Sequence, residues 1–376
     1  MSSHPGPRTD DIAHSDHARQ TATALQGWYD VPSGLWRTTG WWNSANCLTV
    51  LVDWAFLAGS KTGGFDVAGI VANTFNNAQQ ASFTTHKTLS ATGLIKSAYE
   101  FHSTSKRGFS EFLNDFYDDE GWWALALIRS WDVTHEDDYL DMAERIFDDM
   151  QTGTDATCGG GIWWSKERAY KNAIANELYL TVAASLANRV RDSKERYTQV
   201  AVDQWKWFKQ SGMINDDNLI NDGLRIERDG SCVNNGLNAW SYNQGVVLGG
   251  LVELSKATGD RRYLDEATDI ATAAIALLSD SNGIIHEVDR CEPNCGDDGS
   301  QFKGIFVRNL QYLHRAAPHD VFRTAIHKNA HSVWAKNRNT KNQLGIAWTG
   351  PPGLGGGPNA ATHSSAMEAL VAALTI

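Results

Sequence analysis

The chain has 376 residues, 42% of them hydrophobic and 20% charged, with a formal net charge of -11. That composition supplies a globular protein with a large core, and its acidic balance excludes a nucleic-acid partner, because phosphate binding needs a basic face. No apolar run is long enough to span a bilayer, and no apolar stretch follows Met1, so no transmembrane segment or secretory signal is visible.

In chain order, residues 1–17 are polar and read as a disordered tail, which leaves 18–376 as a single domain. Trp41-Trp42-Asn43-Ser44-Ala45-Asn46 opens an apolar helix over 42–58, within which Cys47 reads as buried. A further apolar helix is expected at about 90–102, and no stretch alternates long enough to read as a sheet. Tyr117-Asp118-Asp119-Glu120-Gly121-Trp122-Trp123 starts the next helix, through residue 132. Asp is favoured at helix starts by capping alone, so the pair by itself reads as a cap. Glu120 reads as a first-turn partner of the helix dipole. Gly121, a poor helix former, reads as the place where a loop packs closely.

Three segments then align on a tyrosine: Tyr139, Tyr197 and Tyr263 each sit near the start of an amphipathic helix. Each follows a short polar turn after a more apolar helix, at 122–132, 173–190 and 243–258. This is a repeated helical hairpin. Further helix is expected across 302–338 and at 362–375. A hairpin with one apolar and one amphipathic helix cannot bury itself alone, but six closed in a ring can. The expected fold is therefore all-α, an (α/α)6 barrel, and irregular loops argue against a solenoid.

In such a ring the inner helices run parallel, and their N-terminal ends share one rim. Polar clusters fall at those ends: Asn43, Asp118-Asp119, Tyr170-Lys171-Asn172 with Asn176, Ser241-Tyr242-Asn243-Gln244, and Thr362-His363-Ser364-Ser365. Trp pairs at 41–42, 122–123 and 163–164, among 15 Trp in all, suggest aromatic platforms in a cleft. Glycine-rich loops at 159–161 and 350–357 lie at the same end and allow close backbone approach. Cleavage of a sugar–sugar bond uses two carboxyl groups, one giving a proton and one acting as nucleophile or base. A helix N-terminus favours the ionised group, while burial and a neighbouring charge raise the other. Adjacent residues point in different directions, so spacing alone leaves open whether the two carboxyls meet.

The ordered set of Trp41-Trp42-Asn43-Ser44-Ala45-Asn46, Tyr117-Asp118-Asp119-x-x-Trp122-Trp123-Ala124-Leu125-Ala126, Gly160-Gly161-Ile162-Trp163-Trp164, Tyr170-Lys171-Asn172-Ala173, Tyr242-Asn243-Gln244-Gly245 and Phe302-Lys303-Gly304-Ile305-Phe306-Val307-Arg308 resembles glycoside hydrolase family 76, the α-1,6-mannanases of bacteria and fungi. The resemblance spans nearly all of residues 25–376. It implies the (α/α)6 barrel and a retaining, endo-acting mannanase that needs no metal or cofactor. An α-mannan polysaccharide or oligosaccharide would be its partner, and the family's usual place is outside the cytoplasm or at the cell wall. Asp118 is implied as nucleophile and Asp119 as general acid/base. Asn221-Asp222-Gly223 resembles the Asp-Gly before the family's Tyr-Asn-Gln-Gly motif, which implies that Asp222 contacts sugar. The substrate-binding set is then Asn43, Tyr117, Trp122, Trp163, Trp164, Lys171, Asn172, Asp222, Tyr242, Asn243 and Gln244.

Of the five cysteines, Cys291 and Cys295 are close enough to form a small disulfide loop, while Cys47, Cys158 and Cys232 are spread out. No HExxH and no second CxxC-type pair gives metal spacing. A monomer is expected. The alternatives are a cell-wall transglycosidase of the same family, a non-catalytic mannan-binding protein, and an epimerase or unsaturated-uronide hydrolase. The last would want rim histidines, for which His363 and His286 are the candidates.

Overall fold

The computed structural model describes residues 9–80, 83–101 and 111–376. Its helices are α1 (Thr9–Leu25), α2 (Trp41–Ala58), α3 (Val67–Ala78), α4 (Tyr117–Thr134), α5 (Asp137–Thr152), α6 (Ala173–Ala187), α7 (Lys194–Gln210), α8 (Ser241–Thr258), α9 (Arg262–Leu278), the single turn α10 (Gly296–Gly299), α11 (Phe302–Ala316), α12 (Asp320–Lys336) and α13 (Ala360–Ala372). Three antiparallel strand pairs accompany them: β1 (Tyr29–Asp30) with β2 (Leu35–Trp36), β3 (Phe83–Leu89) with β4 (Ile95–Phe101), and β5 (Leu224–Ile226) with β6 (Cys232–Asn234).

Two kinds of helix follow from two kinds of sequence. Every residue of α6 and α13 is buried, because apolar residues lie on every side of both helices. By contrast α5 buries one stripe, from Tyr139 and Leu140 through Met142, Ala143, Ile146 and Phe147 to Met150, and exposes its acidic side. The apolar helices α2, α4, α6, α8, α11 and α13 pack in that order, and α13 closes on α2. Around them α5 covers α4, α7 covers α6, α9 covers α8, α12 lies against α11 and α13, and α1 lies on α13. This is the (α/α)6 barrel. Glycine lets the inner helices approach one another: a Cβ on Gly245 would come within 2.6 Å of the Phe306 backbone, and one on Gly304 within 2.5 Å of Ser365. Gly121 serves the same purpose, although its neighbours are the Leu178 and Met150 side chains rather than a loop.

Two expectations fail. The tail expected over 1–17 is helical from Thr9 onward; residues 1–8 lie outside the described residues. Ala18, Ala22 and Leu25 form a small buried stripe, and His17 stacks on Trp334 with ring centroids 3.7 Å apart. The helix expected at about 90–102 is instead the β3–β4 hairpin, paired from Phe83↔Phe101 to Leu89↔Ile95. Gly93, at φ +86°, makes the turn. In β4, Ile95, Ser97 and Tyr99 alternate with Lys96, Ala98 and Glu100, a two-residue period that a helix reading overlooks.

Candidate active site

Helix α4 begins after Phe116, which caps it without a side-chain hydrogen bond, so Asp118, Asp119 and Glu120 lie inside the first turn. They are not caps, and the helix dipole favours their negative charge. Asn114 organises the approach. Its amide side chain donates to Asp119 Oδ2 at 2.6 Å and accepts from the Phe116 backbone at 2.8 Å, while its own backbone N–H donates to Glu120 at 3.0 Å. Glu120 is also paired with Lys166 at 3.0 Å and is thereby occupied in holding the rim.

Asp118 and Asp119 are 3% and 0% exposed. Their carboxylates converge on one cation that the sequence reading missed. Lys87, from β3, donates to both oxygens of Asp118 at 2.9 and 3.0 Å and to Asp119 at 2.5 Å. Its ammonium lies over the rings of Phe116 and Trp164, 4.8 and 5.7 Å from their centroids. Burial alone would drive this amine toward neutrality, but the charges of Asp118 and Asp119 more than offset it and hold the proton on. Burial pushes the Asp119 carboxyl up to about 7; Lys87 opposes that rise and the charge of Asp118 adds to it.

The β3–β4 hairpin reaches Lys87 into place by lying across the mouth. The Ser97 backbone donates to Asp298 at 2.7 Å, and Trp42 Nε1 donates to the other oxygen of Asp298 at 2.9 Å. At the far end the carbonyl of Thr92 accepts from the Asn238 backbone at 3.2 Å. Gly93 sits so close to Asp222 that a Cβ there would come within 2.9 Å of its carboxyl carbon.

Asp222 is the second acidic element of the mouth. It is 1% exposed and accepts from the Tyr170 hydroxyl at 2.5 Å, and Asn235 in turn donates to Tyr170 at 2.8 Å. Burial pushes Asp222 up to about 7, against the pull of Tyr170 and with the charge of Asp118. Its other oxygen, the Tyr242 hydroxyl, both polar atoms of the Asn243 side chain and the Asn172 amide nitrogen meet no partner among the described residues. Trp164 and Trp122 also lie here, Trp122 stacked on Trp42 at 5.5 Å.

Other residues expected to contact substrate are occupied in building the rim. Lys171 donates to Asp155 and to the carbonyls of Thr157, Gly160 and Gly161 at 2.7–3.0 Å, so it ties down the glycine loop. Trp163 donates to the same Asp155 at 2.7 Å. Gln244 exchanges two 2.8 Å hydrogen bonds with Ile220. Tyr117 turns away to Thr152, 3.3 Å from its hydroxyl, and packs on Gly153. Asn43 donates to Gln301 at 2.8 Å but keeps its oxygen unpartnered among the described residues. The two histidines lie among protein partners. His363 is buried, accepts from Leu344 and bonds the Thr21 carbonyl, and burial pulls it down to about 4; His286 lies beside Asp280 and Glu292. A disulfide joins Cys158 of the glycine loop to Cys232 of β6, another joins Cys291 and Cys295, and Cys47 is a buried free thiol.

Comparison with known proteins agrees with this geometry. The sequence profile of glycosyl hydrolase family 76 matches residues 14–375. The chain is 31% identical over 217 residues to a protein of Candida albicans named mannan endo-1,6-alpha-mannosidase DFG5, an alignment covering 54% of this chain and 47% of that one. It is 27% identical over 216 residues to mannan endo-1,6-alpha-mannosidase DCW1 of Saccharomyces cerevisiae, covering 54% and 47%. The aligned part thus spans about half the length of these relatives. Among solved structures, an inactive variant of the α-1,6-mannanase GH76A of Salegentibacter sp. HEL1_6, with two consecutive aspartates changed to asparagine and α-1,6-mannotriose bound, superposes with a TM-score of 0.79 at 20% identity, covering 96% of this chain and 100% of that one. Dfg5 of Chaetomium thermophilum in complex with glucosamine superposes at 0.77 with 19% identity, covering 97% and 90%.

Proposed function

The chain belongs to glycosyl hydrolase family 76, and from that footing we propose that it cleaves internal α-1,6 linkages of mannan with retention of configuration. Asp118 is the nucleophile and Asp119 the general acid, then base. The observation that carries this reading is the convergence of two buried, adjacent carboxyls on one point in the barrel mouth. Since both reach the same nitrogen, their nearest oxygens fall within the roughly 5.5 Å that double displacement uses, not the wider gap that inversion needs for its water.

Asp118 attacks the anomeric carbon while Asp119 gives its proton to the departing glycosidic oxygen. Asp119 then takes a proton from water, whose oxygen displaces Asp118. A carboxyl pushed up to about 7 suits that double duty near neutrality. The Lys87 ammonium stands where the scissile bond has to lie. Substrate entry therefore displaces it, and the β3–β4 hairpin shifts off the mouth as sugar comes in. The inactive relative with two consecutive aspartates replaced supports the assignment of the pair. Two disulfides support work in an oxidising compartment, outside the cell or at its wall; among the described residues no helix is long and apolar enough to cross a membrane.

Incubation with linear α-1,6-mannan should release short mannooligosaccharides, and NMR of the first-formed anomer should show retention. Intact mannan, or inversion, sinks the reading. Adding a mannoside acceptor measures how the intermediate divides between water and sugar, which separates hydrolysis from transfer.

A further inference from the structure

The second turn of α6 carries a carboxyl that neither the packing nor the Asp118–Asp119 pair explains. Glu177 is wholly buried, and neither of its oxygens meets a donor among the described residues. Burial, with the charge of Asp222 adding, holds this carboxyl well above the ordinary range.

Register places it. Thr181, one turn further along α6, donates to the Val246 carbonyl of α8 at 3.2 Å. Tyr242 precedes Val246 by one turn of α8, as Glu177 precedes Thr181 on the parallel α6. Glu177 and Tyr242 therefore stand level with each other, one turn nearer the mouth. The charges of Asp222, Asp118 and Glu177 all act on the Tyr242 hydroxyl, so the four share one small region. In that region both oxygens of Glu177, one of Asp222 and the Tyr242 hydroxyl lack partners among the described residues, as do both polar atoms of the adjacent Asn243. Each unmatched buried group costs about 1–3 kcal/mol, and natural folds leave few of them. An apolar ligand would use none of these groups. A lone ion would not use a mixture of neutral donors and acceptors. A ring bearing several hydroxyls, each able to give and take a hydrogen bond, would use them all.

We propose that Glu177 is a substrate-binding residue which, with Asp222, Tyr242 and Asn243, grips the hydroxyls of the sugar unit placed on Asp118. The inference rests on the glycosidase reading above and assigns that site its deepest contact. Both oxygens of Glu177 are open to hydrogen bonds, which places it against sugar hydroxyls.

The test is steady-state cleavage of linear α-1,6-mannooligosaccharides together with thermal unfolding of wild type, Glu177→Gln and Glu177→Leu. Glu177→Gln, which keeps a donor and an acceptor, should stay within about threefold of wild type in KM, whereas Glu177→Leu should raise KM about tenfold or more. Because the buried acid is unmatched, Glu177→Leu should also raise Tm by a few degrees. An unchanged KM in the leucine variant overturns the inference. So does a lower Tm or failure to fold, either of which would mark a packing role. If wild type itself leaves mannan intact, the glycosidase reading is what fails; if wild type cleaves and Glu177→Leu equals it, only this inference fails.

Discussion

The two ends of the barrel treat their acids in opposite ways. Where the inner helices end, each carboxylate has a guanidinium. Arg129 binds Asp53 at 2.7 Å and Asp132 at 2.6 Å, Arg189 binds Asp132 and Glu253, and Arg308 binds Glu368 at 2.8 Å. Helix C-termini favour such cations. Where the inner helices begin, Asp118 and Asp119 share the ammonium of Lys87, and Glu177 and Asp222 have no cation bonded to them among the described residues. A cavity of about 440 Å³ opens at the matched end, lined by Arg129, Arg189 and Arg308 and floored by Trp122. Room and chemistry therefore part company: the hole lies where charges are settled, and reactivity lies under a hairpin where they are not.

Several measurements would break or sharpen that contrast. The largest effect is expected at the mouth. Asp118→Asn and Asp119→Asn should each lower kcat on linear α-1,6-mannan by about a thousandfold or more while leaving the fold intact by circular dichroism; full activity in either would remove the pair from the mechanism. At the opposite end, Arg129→Met leaves Asp53 buried without its cation while Asp132 keeps Arg189, and urea unfolding should show a loss of about 3–5 kcal/mol with KM unchanged. A stable variant with altered KM would mean that this end also binds substrate.

Lys87→Ala tests the bridge between the two situations. It removes the cation that competes with sugar, so kcat/KM should rise, by about tenfold. The sign of the pH effect follows from Asp119. A general acid must hold its proton, so with its carboxyl at about 7 the rate falls as pH rises past that value. Lys87 pulls that carboxyl down, so its removal should carry the alkaline limb to higher pH. A lower kcat/KM, or a limb that moves down, would make Lys87 a helper rather than a plug.

The smallest effect concerns stability. The folded state keeps the Glu177 proton well above the range where an unfolded chain releases it. Its contribution is thus most favourable at low pH and is lost as pH rises through the ordinary carboxylate range and beyond. Glu177→Gln, with no proton to lose, should gain on wild type in urea midpoint steadily from pH 4 to pH 8. A constant difference across that range would mean that Glu177 is not held protonated.

The ring of helices was legible because α6 and α13 have apolar residues on every side, and burial all round is the natural reading of such segments. The position of Asp118-Asp119 on the rim followed from parallel inner helices. The hairpin was not legible because it covers a polar mouth rather than a core. Thr84, Thr85, His86, Lys87 and Thr88 are polar on both faces of β3, so the usual alternation of a half-buried strand is missing. Only Gly93 and the alternation of Ile95 and Tyr99 signalled it. The protein partners of Lys171 and Gln244 were not legible for a different reason. A polar side chain at a helix start looks the same in sequence whether it meets a sugar or a carbonyl. Glu177 did leave a mark: it is the single charged residue in a fully buried helix, Ala173–Ala187.

The closing of α13 on α2 sets an order in time as well as in space. His363 bonds the carbonyl of Thr21, Gln301 bridges Asn43 and Ser364, and α1 lies against α13. A chain emerging from the ribosome over tens of seconds makes α2 and α4 well before α13, the wall that completes their mouth. Until then the two aspartates stand on an open arc, wet and unshielded, so the nascent chain carries its acids without the buried setting that makes them a pair. Activity should switch on only once α13 has closed the ring on α2.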